Sequence, residues 1–176
     1  MRKTILLLSC LLVIPASFAV TEYKLDYKLP KSAKLHLFDQ QEDADGYTRR
    51  YKVITNEKSS IAEPMSMVMM THGRKVRLTP KQAMEEVVQV HAQANCAQKG
   101  DKVIKLYDSV IIFTTYLDQC ANGKSLVQIY KSFNTPSGQY AINYSANPQD
   151  VSKETMQKMQ EMVKVARIVP INESIS

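Results

Sequence analysis

The chain has 176 residues, with 23 Lys and Arg against 17 Asp and Glu, three Cys and no Trp. Its formal charge of +6 falls to +4 once Arg2 and Lys3 are set aside with the leader described below. That thinly spread surplus excludes the concentrated basic face that nucleic-acid binding requires.

Residues 1–19 have the three parts of a secretory signal peptide. Arg2 and Lys3 form the basic start, and residues 5–14 are apolar apart from Ser9 and Cys10. Pro15 ends the apolar run, and Ser17-Phe18-Ala19 places small residues where a signal peptidase cuts. The run falls short of the ~20 residues that span a bilayer. Leu7-Leu8-Ser9-Cys10 loosely fits a lipoprotein box, but few apolar residues precede Cys10 and more follow it. Cleavage after Ala19 is therefore expected, leaving a single domain over residues 20–176 with no transmembrane segment.

Residues 20–46 read as polar and irregular, with Leu35-His36-Leu37-Phe38 as a short strand and an acidic turn over 39–46. Over 47–55, Tyr47, Tyr51 and Val53 alternate with Thr48, Arg50 and Lys52, the period of a half-buried strand. Residues 65–71 form a further strand, apolar on both faces. Thr79-Pro80-Lys81-Gln82 opens a helix with a capping box, and Ala83, Met84, Val87, His91 and Ala94 recur along one face. Gly100 is the expected stop, with Cys96 in the last turn.

Strands are expected over 103–107 and 110–117, then a hairpin turn at Asn122-Gly123. Centring the turn there pairs Tyr116 with Ile129, Thr114 with Lys131 and Ile112 with Phe133. Thr135-Pro136-Ser137-Gly138 makes the next turn, and 139–145 returns with Tyr140, Ile142 and Tyr144 on one face. Asn147-Pro148 starts a final helix striped by Met156, Met159, Val163 and Ala166, with Met162 at its edge. Arg167-Ile168-Val169 ends the fold as a strand. The expected architecture is α+β: an antiparallel meander sheet with two helices packed on one face.

In an exported chain, Cys96 and Cys120 form an even pair without metal spacing or a C-x-x-C motif, so a structural disulfide is expected. Four further groups invite functional readings. Arg74, Lys75, Arg77 and Lys81 flank a helix N-terminus and suit an anion, although solvated loop charges have the same composition. Met67, Met69 and His72 offer soft ligands for Cu(I), but strand alternation sets the methionines on one face and His72 on the other. Met also fills irregular cores. Asp43-Ala44-Asp45-Gly46 is close to the centre of a calcium loop, but Gln41 and Lys52 stand where acidic ligands belong. His72 or His91 is the base that a small hydrolase with a spatially assembled site would need, with burial under hydrogen bonds as the default for His91. No catalytic motif is present, and no cofactor is expected.

The C-terminal two-thirds resembles small exported domains of the PsbP and DcrB type. The residues that carry the resemblance are Ser132-Phe133-Asn134, Gly138-Gln139-Tyr140-Ala141-Ile142 and the ending Met162-Val163-Lys164-Val165-Ala166-Arg167-Ile168-Val169. It implies a non-enzymatic envelope or assembly protein and assigns no functional residue. In its Lys-, Gln-, Asn- and Met-rich composition the chain is also similar to genus-restricted proteins exported by intracellular gammaproteobacteria, including type II secretion substrates. Together these readings imply a secreted or periplasmic binding protein, with a virulence or host-interaction role if it leaves the cell. Its partner would be a protein, a lipid or an anionic glycan; a small hydrolase and a Cu(I)-binding protein are the alternatives.

Overall fold

A computed structural model describes residues 21–55, 66–74, 78–121, 123 and 125–171. The expected signal peptide, Lys75, Arg77, Met65 and Asn122 lie outside the described residues. The elements in chain order are β1 (Tyr23–Asp26), β2 (Ala33–Asp43), β3 (Gly46–Thr55), β4 (Ser66–Gly73), α1 (Pro80–Ala92), β5 (Cys96–Leu106), β6 (Val110–Cys120), β7 (Leu126–Thr135), β8 (Gly138–Ala146), α2 (Lys153–Val165) and β9 (Arg167–Pro170). One sheet has seven strands in the order β2-β3-β4-β8-β7-β6-β5, and β1 pairs with β9 in a separate ribbon. All pairings are antiparallel.

The sheet is thus two meanders, β2 to β4 and β5 to β8, joined where β4 hydrogen-bonds to β8. Central β8 is buried along its whole length, while the long edge strand β5 is almost wholly exposed. Residues on one face of β8, Tyr140, Ile142, Tyr144 and Ala146, pack with Val68, Met70, Ile129 and Phe133. Met159, Met162 and Val163 of α2 close over them. Tyr23 and Leu25 of β1 and Ile168 of β9 extend the same core. Burying a side chain of this size contributes about 1.5–3 kcal/mol.

The two helices do not share a face, contrary to the expectation. Ile112 of β6 belongs to the core beneath α2. Thr115, three residues further along β6, points the other way, and its Oγ1 lies 3.0 Å from Nδ1 of His91 on α1. An apolar stripe shows that a helix packs, not which side of the sheet receives it.

Helix α1 begins as its sequence requires: Thr79 Oγ1 accepts from Gln82 N at 3.2 Å, and Gln82 Oε1 accepts from Thr79 N at 2.8 Å. It ends at Ala92, eight residues before Gly100. Lys99 reaches back from β5 to donate to the carbonyls of Ala92 and Ala94, at 2.9 and 3.2 Å, and so satisfies the helix end. Gly100 instead sits within β5 opposite Tyr116, whose ring occupies the space a Cβ would need.

Other boundaries also differ from expectation. The acidic stretch 39–46 is mostly strand, and only Ala44 and Asp45 turn. Asp43 Oδ1 accepts from the backbone N–H groups of Asp45 and Gly46 at 2.7 and 3.1 Å, an Asx turn. Asn147-Pro148 makes a turn rather than a helix start, with Asn147 Oδ1 accepting from Gln149 N at 3.1 Å. Ser152 then caps α2. The β6–β7 register pairs Tyr116 with Val127, Thr114 with Ile129 and Ile112 with Lys131. The turn is centred one residue earlier than expected, closed by Gly123 N donating to Cys120 O at 2.8 Å. A two-residue change of partner keeps every side chain on its face, so the core pattern survives.

Cys96 and Cys120 are joined by a disulfide with an S–S distance of 2.08 Å. It staples facing residues of β5 and β6, not the last turn of a helix. No helix among the described residues is long and apolar enough to cross a membrane.

Candidate functional site

One end of the sheet collects most of the polar side chains singled out above. β3 starts there at Gly46 and β4 ends there, since Gly46 pairs with Gly73 and Gly73 with Gln139. The β7–β8 turn lies alongside. Asn134 ties in two more segments: its N–H donates to Ser109 O, in the β5–β6 turn, and its Nδ2 to Leu78 O, just before α1, both at 2.8 Å. Gln139 Nε2 donates to the same Leu78 carbonyl at 3.2 Å.

A cleft of about 340 Å3 opens at this end, between the sheet and the β1–β9 ribbon. Tyr47, His72 and Tyr140 form its wall in register across three strands. His72 stacks on Tyr140 at 4.0 Å between centroids and meets the Tyr47 ring edge-on at 5.6 Å. Tyr140 OH donates to Tyr23 O at 3.0 Å, which fastens the ribbon to the wall.

Charges in the cleft are balanced. The Arg49 guanidinium lies 4.6 Å above the centre of the Tyr47 ring and 3.6 Å from a Glu42 carboxylate oxygen. Arg74 is exposed and donates through Nη1 to the carbonyls of Asp43 and Ala44, both at 3.3 Å. Glu22 completes the rim. A second hollow of about 330 Å3 shares Tyr47 and His72 and is lined by Asp43 and Asp45.

Burial lowers the pKa of His72, and Arg74 lowers it further; the hydrogen bond to Ser137 and the Glu22 charge act in the opposite direction. His72 is therefore neutral at pH 7, with Nε2 donating to Ser137 O at 3.3 Å and Nδ1 the acceptor. Burial raises the pKa of the Tyr47 phenol, against the attraction of Arg49. The cleft can stack, accept and donate hydrogen bonds, and present two guanidinium groups.

Neither histidine is set up as the base of a nucleophile. His72 meets a main-chain carbonyl. His91 meets Thr115, whose residue is only 2% exposed, so that hydroxyl cannot meet a substrate. His91 is hydrogen-bonded as expected but only half-buried, and that burial lowers its pKa against the pull of Asp101.

Among the predicted anion-site residues, Arg74 lies on the rim of the cleft and Lys81 in the first turn of α1, exposed and 3.8 Å from Glu85. Lys75 and Arg77 lie outside the described residues. Met67 and Met69 pair with Ser145 and Asn143, on the face opposite His72 and Tyr140, so the Cu(I) set does not converge. No group of three His, Cys, Asp or Glu among the described residues is placed to hold a metal. Nothing in the sequence alone marks Tyr47, His72 and Tyr140 with Arg49 as one cluster. Their one signal is strand alternation, which put Tyr47 and Tyr140 on apolar faces without showing that those faces meet.

The fold is an α+β domain built on an antiparallel sheet and stapled by one disulfide. No family model matches the chain, and no curated protein matches it in sequence. A solved structure similar to it is the crystal structure of LpqN, involved in cell envelope biogenesis of Mycobacterium tuberculosis. The two share 11% identity over 85% of this chain and 86% of that one, with a TM-score of 0.46.

Proposed function

We propose that this protein acts after export as a binding and interaction protein without a catalytic step, and that the cleft end of the sheet is its contact surface. The observation that carries this reading is the aromatic wall of Tyr47, His72 and Tyr140 beside Arg49 and Arg74. These groups stack and pair with one another and present no exposed nucleophile beside a base, as recognition requires and hydrolysis does not. The signal-peptide pattern and the Cys96–Cys120 disulfide support work in an oxidising compartment. The finer form of the reading is a type II secretion substrate with a host-facing, virulence-associated role, and its ligand is an anionic group recognised by Arg74, Lys81 and their neighbours Lys75 and Arg77.

Two measurements test this. The mature protein is passed over immobilised heparin, a soluble polyanion surrogate, beside a variant with Arg74, Lys75, Arg77 and Lys81 all replaced by Ser. Retention that drops in the variant supports the site; equal retention removes it. Fractionation of the native cells, with and without their outer-membrane secretion machinery, separates a secreted protein from a periplasmic one.

A further inference from the structure

Two methionines of β4 stand apart from the core. Met67 and Met69 are half-buried on the sheet face opposite Tyr140 and Ile142, whereas Met70, Met159 and Met162 are 6%, 0% and 2% exposed. Each lies in register between a cationic residue and a polar one. Arg50, Met69 and Asn143 align across β3, β4 and β8, and so do Lys52, Met67 and Ser145. Strand alternation sends the side chains of each row to the same face, with directly paired Cβ atoms about 5 Å apart.

The β8 members of these rows are buried polar groups beside a thioether. Asn143 is 8% exposed and Ser145 4%. Asn143 Oδ1 and Ser145 Oγ have no hydrogen-bond partner among the described residues. Burying a polar group unpaired costs the free energy of its lost hydration. A thioether sulfur is only a weak acceptor and does little to offset that cost. One oxygen atom added to the sulfur makes the side chain polar and supplies the missing acceptor.

We propose that Met67 and Met69 form an oxidation site, converted to the sulfoxide by hydrogen peroxide and accommodated in that state by the polar residues of β8. Each thioether attacks one peroxide oxygen. The S–O bond forms as the O–O bond breaks, sulfur gives up two electrons, and the other oxygen leaves with both protons as water. Arg50 and Lys52 stand beside the sulfurs with the charge that favours the departing oxygen. The new oxygen on Met67 accepts from the Ser145 hydroxyl. Beside Met69, a half-turn about χ2 of Asn143 presents its amide N–H groups. A methionine sulfoxide reductase restores the thioether, so the modification is reversible. The site lies on the face opposite the cleft wall and is independent of the binding role proposed above.

The test uses the mature protein carrying Met65→Leu/Met84→Leu/Met156→Leu, so that only the buried Met70, Met159 and Met162 remain besides Met67 and Met69. Mild hydrogen peroxide treatment followed by peptide mass spectrometry should place one oxygen on each of Met67 and Met69 and none on the other three. The melting temperature should not fall. Adding Asn143→Leu/Ser145→Ala should leave the reduced protein melting no lower than its parent. Its oxidised form should melt about 3 °C or more below its reduced form. Ser145→Ala with Met69→Leu makes the same comparison at Met67 alone if the Asn143 change prevents folding. Resistance of both methionines to peroxide, unfolding of the parent on oxidation, or an equal effect of oxidation with and without the β8 donors overturns the proposal.

Discussion

The imidazole of His72 lies nearly flat on the ring of Tyr140, with centroids 4.0 Å apart and planes 8° from parallel. This contact lies on the β4–β8 pairing that joins the two meanders of the sheet, at the end where the cleft opens. It buries an ionisable ring where its neutral form is favoured, and the first prediction follows from that.

Both His72 and His91 have pKa values lowered from 6.5, chiefly by burial. For a base with a depressed folded pKa, the unfolded chain takes up the proton first as pH falls. Their contribution is complete above pH about 6.5 and is lost as pH drops through the folded-state values. The melting temperature should therefore fall between pH about 7.5 and about 5, and His72→Gln/His91→Gln should have a flatter profile by calorimetry. Parallel profiles for the two proteins would refute this.

Gly46 and Gly100 should respond very differently to alanine. Gly46 has φ +149°, and a Cβ there would stand 1.8 Å from the His72 carbonyl oxygen, which is backbone and cannot yield. Gly46→Ala is expected to cost about 3 kcal/mol or more in urea unfolding. At Gly100 the obstacle is the Tyr116 ring, 2.5 Å away, and that residue is 47% exposed and free to swing outward. Gly100→Ala should cost no more than about 1 kcal/mol.

Lys131 is buried under α2, where Nζ donates to Lys164 O at 2.6 Å and also to Ala166 O. It caps the negative end of the helix from the sheet below. Lys131→Ala leaves both carbonyls without that donor and should destabilise by about 2–3 kcal/mol, read from urea midpoints at unchanged slope. Lys131→Met should recover the packing but not the cap, and so fall between the two.

Reduction should lower stability without dissolving the native strand content. The disulfide closes a separation of 24 residues, which corresponds to about 3–4 kcal/mol in the chain-entropy model. The same loss is expected for Cys96→Ala/Cys120→Ala, and far-ultraviolet circular dichroism at low temperature should stay native for both.

Legibility differed from element to element. Helix α1 started where its capping box placed it because Thr79, Pro80 and Gln82 act within four residues. Its end was misplaced because the group that satisfies it, Lys99, reaches back from the following strand. Apolar residues mark only four positions of β2, which runs to eleven, since its polar half is held by pairing with β3. Arg50 and Asp39 pair across that hairpin, a contact invisible until the register is known.

The same division holds for the site. Local order along the chain determined the class of fold, the start of α1, the Thr135–Gly138 turn, the terminal strand and the pairing of Cys96 with Cys120, because each depends on neighbours in sequence or on there being one partner to choose. Tertiary structure alone decided that β4 joins β8, that the helices take opposite faces, and that Tyr47, His72 and Tyr140 stand side by side. Those three residues come from strands separated by α1 and two hairpins, and only cross-strand hydrogen bonding, which carries no signature in local periodicity, brings them into one wall.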